Sequence, residues 1–220
     1  MTKILRDFLP ASVSWHKKVA FFQIAFVYIL LLQEYAPIQK YNIDWATINK
    51  KLPTGDSAQE IYLRRKYWWY FDPNGNGILS LAEIDRGIRD VLRSSILFRS
   101  KPAIMRAFQA AKASIPSNRG SLGDDYVEEK EFHFFLLLLR QYFEYWVAYM
   151  RVDVDDDRRL SLQEWKDHHD KMVKWVGPFD AEVEFQKIDI NNGGMILFNE
   201  FCEWALSKDL DLPDDVDYVY

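Results

Sequence analysis

The sequence contains a single cysteine, Cys202, among its 220 residues. It therefore cannot form an internal disulfide, which excludes a small disulfide-stapled secreted scaffold. A reducing, intracellular environment is the simpler interpretation. The four histidines form no metal-protease motif, and the chain has neither a Gly-rich phosphate loop nor a nucleophile elbow. We therefore expect no catalytic residues and a protein that is not an enzyme.

The chain also lacks an excess of positive charge. Its formal net charge is −5, which argues against nucleic acid as a partner. Residues 1–40 contain five Lys or Arg and two Asp or Glu, a net charge of +3, so the rest of the chain carries −8. Because 49% of the residues are hydrophobic, this acidic body can bury a core.

One apolar run stands out near the N-terminus. Residues 19–32, VAFFQIAFVYILLL, are apolar except for Gln23. As a helix they would extend about 21 Å, short of the roughly 30 Å hydrocarbon core, but a helix from Trp15 to Tyr35 is long enough to cross. Two interpretations stay open: a membrane anchor, or a helix buried against a partner or the protein's own body. A cleaved signal peptide is disfavoured because no cleavage pattern follows Leu32.

Acidic residues are most regularly spaced in residues 153–164, DVDDDRRLSLQE. Carboxylates at positions 1, 3, 5 and 12 and a hydroxyl at position 9 form the ligand pattern of an EF-hand calcium loop. Position 6 requires a positive φ and usually carries Gly, so Arg158 there should cost about 1 kcal/mol. The predicted Ca²⁺ ligands of this loop 3 are Asp153, Asp155, Asp157, Arg159 through its carbonyl, Ser161 and Glu164.

Two further loops follow the same twelve-residue phase. Loop 1 is DPNGNGILSLAE, residues 72–83, and loop 4 is DINNGGMILFNE, residues 189–200. Both have Gly at position 6, but their neutral ligands predict weaker binding. In loop 4, Gly193 offers no side chain at position 5, so we expect water to complete the site. The predicted ligands are Asp72, Asn74, Asn76, Ile78, Ser80 and Glu83 in loop 1, and Asp189, Asn191, Gly193, Met195 and Glu200 in loop 4.

A fourth copy is eroded. Loop 2, residues 120–131, reads GSLGDDYVEEKE and has Gly120 and Leu122 where ligands 1 and 3 should be. We predict that it binds no calcium and serves as the structural mate of loop 1. The position-8 residues should pair in short β-bridges, as Leu79 with Val127 and Leu160 with Ile196.

These motifs predict an all-α fold of four EF-hands in two packed pairs with short loop β-bridges, plus an N-terminal apolar helix. The apolar residues 132–150 are interpreted as a core helix rather than a second membrane span, because Arg140, Gln141 and Glu144 interrupt them. The expected parts are an anchor or docking segment (1–44), hand pairs over 45–135 and 136–208, and an acidic tail (209–220) that we expect to be solvated.

From Trp45 to about Leu212 the chain resembles the calflagins, the flagellar calcium-binding proteins of protists. The resemblance is carried by Trp45 and Ile48, by LPTGDSAQEIYLRRK leading into FDPN, and by the eroded GDDYVEEKEF. It is also carried by the ending FQKIDINNGGMILFNEFCEWA and the LDL that follows.

The resemblance implies that the third and fourth hands are the calcium-responsive pair and that the protein is flagellar. It places the responsive ligands at Asp153, Asp155, Asp157 and Glu164, and at Asp189, Asn191 and Glu200. That family begins with an acylated Met-Gly-Cys, whereas this chain begins Met1-Thr2. We therefore expect no N-myristoyl site, and membrane targeting, if it persists, through residues 15–35.

Taken together, the sequence predicts a non-enzymatic Ca²⁺-binding regulator or subunit, held to a membrane or a larger assembly by its N-terminal segment. The expected partner is a protein or membrane complex that contacts residues 1–35, with a membrane contact or a single span left open. The alternative is a structural subunit of a mitochondrial membrane or axonemal complex in which the EF-hands are mainly a scaffold. The expected location is intracellular and membrane-associated, in the cilium or flagellum by resemblance.

Overall fold

The computed structural model describes residues 43–112, 114 and 125–212, which are mainly helical. The chain divides into two units, Met1–Pro37 and Ile38–Tyr220, and the described residues belong to the second. The predicted N-terminal helix and anchor, and loop 2 residues Gly120 and Leu122, lie outside the described residues. The helices are α1 (Trp45–Lys51), α2 (Ala58–Phe71), α3 (Leu81–Gly87), α4 (Ser95–Arg99), α5 (Lys101–Lys112), α6 (Glu129–Val152), α7 (Leu162–Asp167), α8 (His169–Val176), α9 (Ala181–Ile188) and α10 (Phe198–Ser207). The strands are β1 (Ile78–Leu79), β2 (Val127–Glu128), β3 (Leu160–Ser161) and β4 (Met195–Ile196).

The loops pair as predicted. β1 and β2 are antiparallel with Leu79 opposite Val127, and β3 and β4 are antiparallel with Leu160 opposite Ile196. All four of these side chains are fully buried. The all-α fold of paired EF-hands with short β-bridges is therefore confirmed for the described residues.

Helix α2 shows how local sequence delivers side chains to the core. Its first turn is capped because Ser57 Oγ accepts a hydrogen bond from Glu60 N at 3.3 Å, while the Glu60 carboxylate accepts one from Gly55 N at 2.9 Å. The helix ends at loop 1, and its last turn places Trp68 and Phe71 in the core, 6% and 0% exposed.

Helix α6 is the central core element. Its N-terminal part packs Phe132 against Phe71 at 5.2 Å between ring centroids, and its C-terminal part packs Tyr149 against Phe201 at 5.4 Å. The same helix thus serves the second and the third hand, and the core-helix interpretation of residues 132–150 is confirmed. Within residues 43–112, 114 and 125–212, no helix is long and apolar enough to cross a membrane. The predicted boundary between residues 135 and 136 falls inside α6, and the division into 45–135 and 136–208 stays a prediction.

Polar side-chain contacts join the two pairs of EF-hands. Arg140 of α6 donates to Asn49 Oδ1 of α1 at 2.7 Å, and its guanidinium lies 4.2 Å from the Trp45 ring centroid. Arg106 of α5 forms an ion pair with Glu203 of α10. The two halves therefore pack against each other, as an apolar connector requires.

The first hand ends in a π-helical turn, Ile88–Leu92, which no motif in the sequence indicates. Lys51 stabilises its end by donating to the carbonyls of Leu92 and Arg93 at 2.9 and 2.7 Å. Gly87 precedes the turn at a close approach, because a Cβ there would lie 2.4 Å from the Phe71 ring.

The prediction of a solvated acidic tail is wrong for its first residues. Leu210 and Leu212 are only 6% and 2% exposed, and Leu212 N donates to Glu144 Oε1 of α6 at 2.6 Å. The two leucines are buried although aspartates lie beside them in the sequence. Removing their apolar surface from water is favourable, and the neighbouring carboxylates can stay in solvent. Residues 213–220 lie outside the described part of the chain.

Candidate metal centre

Loops 1, 3 and 4 share one backbone frame. In each, the carboxylate at position 1 accepts a hydrogen bond from the amide at position 6. The N–H···O distances are 2.9 Å for Gly77 to Asp72, 3.0 Å for Arg158 to Asp153, and 2.8 Å for Gly194 to Asp189. Position 6 has a positive φ in all three, and Arg158 adopts φ +65°. The loops are therefore closed around their position-1 aspartates.

The glutamate at position 12 is bound into the helix that follows each loop. One of its carboxylate oxygens accepts the backbone N–H of position 9, at 2.9 Å from Ser80 to Glu83, 2.9 Å from Ser161 to Glu164 and 2.8 Å from Leu197 to Glu200. This contact caps the N-termini of α3, α7 and α10. Any movement of these glutamates is therefore transmitted to the exiting helix.

Loop 3 brings three carboxylates together. One oxygen each from Asp153, Asp155 and Glu164 lie within 4.8 Å of one another. Calcium ligands lie 2.3–2.6 Å from the ion, so two of them can be at most about 5 Å apart. A single calcium ion can therefore contact all three groups. Asp157, predicted at position 5, lies outside this trio, and its Oδ1 accepts from Arg159 N at 2.7 Å.

The electrostatics of loop 3 favour a cation. Burial, together with the charges of Glu164, Asp157 and Asp156, raises the pKa of Asp153 to about 7, although the hydrogen bond from Arg158 N acts in the opposite direction. Burial acts on Glu164 in the same direction, but hydrogen bonds from Ser161 and Val154 N bring its pKa below the usual value. A divalent cation would relieve the repulsion that Asp153 experiences when ionised.

Loops 1 and 4 differ from loop 3 at position 3. Asn74 Nδ2 donates to Glu83 Oε1 at 2.7 Å, and Asn191 Nδ2 donates to Glu200 Oε1 at 2.8 Å. The side chain of Asp155 in loop 3 has no N–H to donate to Glu164. Calcium at loops 1 and 4 must displace this amide from the glutamate. The missing charges at these positions are evident from the sequence, whereas the competing hydrogen bond is visible only in the structure.

The other predicted ligands lie in the loops or in the short strands. The hydroxyls of Ser80 and Ser161 donate to Glu83 and Glu164 at 2.8 and 2.7 Å. The position-7 residues whose carbonyls are predicted ligands are Ile78, Arg159 and Met195, next to or within the strands. At Gly193 a Cβ would lie 2.4 Å from Asn191 Oδ1. The ligand set itself, including Asn76 and Asp189, stays a prediction.

One residue of the site was not found from the sequence. Tyr149 of α6 is fully buried, and its hydroxyl lies 2.9 Å from the carbonyl oxygen of Arg158 in loop 3 and 3.0 Å from that of Ile196 in loop 4. Burial and the loop 3 carboxylates raise its pKa. The sequence signal that could have identified Tyr149 is its place on α6, four residues and about one helical turn before Asp153 at position 1 of loop 3.

Comparison with known proteins agrees with this geometry. Residues 48–139 match the family model described as the FCaBP EF-hand domain. The flagellar calcium-binding protein TB-24 of Trypanosoma brucei brucei is 32% identical over 177 residues, which cover 80% of this chain and 81% of TB-24. The chain belongs to the flagellar calcium-binding protein family. The resemblance to the calflagins is therefore confirmed.

Other relatives in the family match the same share of the chain. The flagellar calcium-binding protein of Trypanosoma cruzi is 30% identical over 179 residues, 80% of this chain and 84% of its own length. TB-44A of Trypanosoma brucei brucei is 33% identical over 177 residues but is longer, so the match covers only 44% of it. The family and the donor set both indicate Ca²⁺ as the cofactor, and no enzyme family is indicated.

Proposed function

We propose that this member of the flagellar calcium-binding protein family is a calcium-responsive regulator or subunit, with loops 3 and 4 as its responsive pair. The observation that carries the proposal is the convergence of Asp153, Asp155 and Glu164 within 4.8 Å at the start of α7. The calcium-binding names of its relatives support the same cation.

The path from the site to the core begins at Glu164. It lies in the first turn of α7 and is joined by hydrogen bonds to Ser161. The next residue, Trp165, is fully buried and contacts Trp204 of α10 at 4.9 Å between ring centroids. A bound calcium ion supplies two positive charges at the loop. Reorientation of Glu164 toward that charge would move Trp165 and shift α7 against α10.

We propose further that residues 1–35 hold the body to a membrane or a protein assembly. The net charge of +3 over residues 1–40 and the apolar run 19–32 support attachment at this end. With five Met in 220 residues, the chain has few of the flexible side chains that promiscuous calcium sensors use. A dedicated partner fits better, in the flagellum by relationship to the named proteins.

The test is a calcium titration of the full chain, monitored by calorimetry and by tryptophan fluorescence. We expect micromolar binding and a change in tryptophan fluorescence. Glu164→Gln should weaken calcium binding at loop 3, and Glu200→Gln should weaken it at loop 4. Each substitution should also reduce the fluorescence change. Glu182→Gln is the matched control, because Glu182 pairs with Lys166 outside the loops. If the chain neither binds calcium at micromolar concentration nor changes its fluorescence, the regulator hypothesis is refuted. The alternative, a structural subunit whose EF-hands are mainly a scaffold, would then remain.

That alternative is a structural subunit of a mitochondrial membrane or axonemal complex. The contacts that join the two pairs, Arg140 with Asn49 and Arg106 with Glu203, favour a rigid body. Carbonate extraction of native membranes tests the attachment in either case. Release of the full-length protein would exclude an integral anchor, and the proteins that co-purify would identify the assembly.

A further inference from the structure

We infer that Tyr149 is a positioning residue that couples loop 3 to loop 4, so that calcium at one loop changes the affinity of the other. The inference rests on the proposed function of this pair. It concerns a side chain outside both loops, one helical turn before Asp153.

The ring of Tyr149 is fixed between two helices. It is fully buried and stacks on Trp146 of its own helix at 5.8 Å between ring centroids. Its edge contacts are with Phe198 and Phe201 of α10, each at 5.4 Å. These phenylalanines flank Glu200, the position-12 residue of loop 4. The ring therefore contacts the exiting helix of one hand from the entering helix of the other.

The hydroxyl joins the two loops directly. It lies 2.9 Å from the carbonyl oxygen of Arg158, at position 6 of loop 3, and 3.0 Å from that of Ile196, at position 8 of loop 4. A phenol has one O–H hydrogen, so a full hydrogen bond to one carbonyl weakens the bond to the other. A change in either peptide therefore alters the hydrogen bond available to its counterpart.

Both carbonyls lie next to a predicted metal ligand. The carbonyl of Arg158 belongs to the peptide that leads into Arg159, and Ile196 follows Met195. Arg159 and Met195 are the position-7 residues whose carbonyls would contact calcium. In each loop, the peptide next to the ligand-bearing one is therefore hydrogen-bonded to the same hydroxyl.

The first pair provides an internal comparison. Trp68 occupies the position equivalent to Tyr149, four residues before Asp72, and an indole has no hydroxyl. In that pair, Gly120 and Leu122 occupy the first two ligand positions of loop 2, so we predict no second site to couple. The hydroxyl is present in the pair with two predicted sites.

The experiment measures coupling in the full chain. The affinity of loop 3 is determined by calorimetric calcium titration with and without Glu200→Gln, first with Tyr149 intact and then with Tyr149→Phe. With Tyr149 we expect inactivation of loop 4 to change loop 3 affinity at least about fivefold. With phenylalanine this ratio should fall below about twofold.

Tyr145→Phe is the matched control. Tyr145 lies one turn earlier on α6, is 2% exposed, and its hydroxyl accepts from Gln141 Nε2 at 3.0 Å. Its loss should leave the ratio unchanged. A ratio that is equally large with Tyr149→Phe would overturn the inference while leaving the proposed function intact. Absence of calcium binding in the unsubstituted chain would overturn both.

A second measurement needs no change at Tyr149. Its buried hydroxyl proton should be visible by NMR, and its shift should move when calcium fills loop 3 in Glu200→Gln and when it fills loop 4 in Glu164→Gln. A signal that responds to only one loop would contradict the coupling, whatever the stability of the Tyr149→Phe variant.

Discussion

Arg158 lets two contributions to calcium binding be measured separately. Its backbone adopts φ +65°, while its N–H donates to Asp153 Oδ2 at 3.0 Å and its carbonyl accepts from Tyr149 at 2.9 Å. A left-handed conformation costs a residue other than Gly about 1–2 kcal/mol. Because protein groups supply both hydrogen bonds, we expect the same conformation with and without calcium, so its cost should affect stability more than affinity.

The side chain should act on affinity through its charge. Arg158 is exposed, and a unit charge about 10 Å from a divalent cation in water repels it by about 0.8 kcal/mol. Removing the charge should tighten loop 3 about fourfold at low salt. At 0.15 M salt, screening should reduce the gain to less than about twofold. Arg158→Gly should therefore tighten calcium binding, and it should do so through charge rather than through released strain.

The assay compares Arg158→Ala with Arg158→Gly. Both should show the same fourfold gain in calorimetric titration at low salt. Only Arg158→Gly should stabilise the calcium-free protein, by about 0.5–1 kcal/mol after the greater backbone freedom of unfolded glycine is subtracted. For a body of this size that is a rise in Tm of about 1–4 °C.

Arg159→Ala is the control for charge. Arg159 adjoins Arg158 and does not have a positive φ, so its removal should match the affinity gain without the stability gain. The reasoning would be refuted if Arg158→Gly bound calcium tenfold more tightly than Arg158→Ala. That result would mean that the left-handed backbone forms only with the metal.

Three further outcomes follow from the structure. Asn191→Asp should tighten loop 4 about tenfold in a calcium titration with loop 3 inactivated, because it adds a carboxylate and removes the amide bond to Glu200; an unchanged affinity would contradict this. Burial raises the pKa of the Cys202 thiol to about 12, so alkylation at pH 8 should be about 1000-fold slower in the native protein than in denaturant, and comparable rates would show that the thiol is accessible. Leu212→Ala should lower the free energy of unfolding by about 2–3 kcal/mol in urea, whereas Asp211→Ala should not; an equal loss would refute docking of the leucine.

The parts of the fold that sequence predicts are those set by local spacing. The twelve-residue phase positions Leu79 opposite Val127 because each occupies position 8 of its loop, and it requires a positive φ at Arg158. The bond from Leu212 to Glu144 joins residues 68 positions apart. No local pattern encodes such a contact, and the aspartates around Leu212 favoured the opposite prediction.

In the candidate metal site, too, the sequence predicts what local spacing sets and misses what depends on side-chain orientation and packing. Ligand spacing identifies Asp153, Asp155 and Glu164, which the structure brings together. Spacing does not show that Asn74 donates to Glu83, because an asparagine at position 3 can present either its oxygen or its N–H₂ to the loop. Nor does it show Tyr149, whose contacts depend on how the third and fourth hands pack.

The eroded second hand separates what the fold needs from what the metal needs. Glu131, at position 12 of loop 2, is fully buried, and its Oε2 accepts from Glu128 N at 2.9 Å. It caps α6 as Glu164 caps α7, although Gly120 and Leu122 occupy the ligand positions. Val127 likewise keeps its bridge to Leu79. A glutamate at position 12 therefore caps the helix even where ligand positions 1 and 3 are lost. Positions 1, 3 and 5 are the ones that distinguish a calcium-binding loop. By that criterion we expect loop 3 to bind calcium most strongly of the four predicted loops.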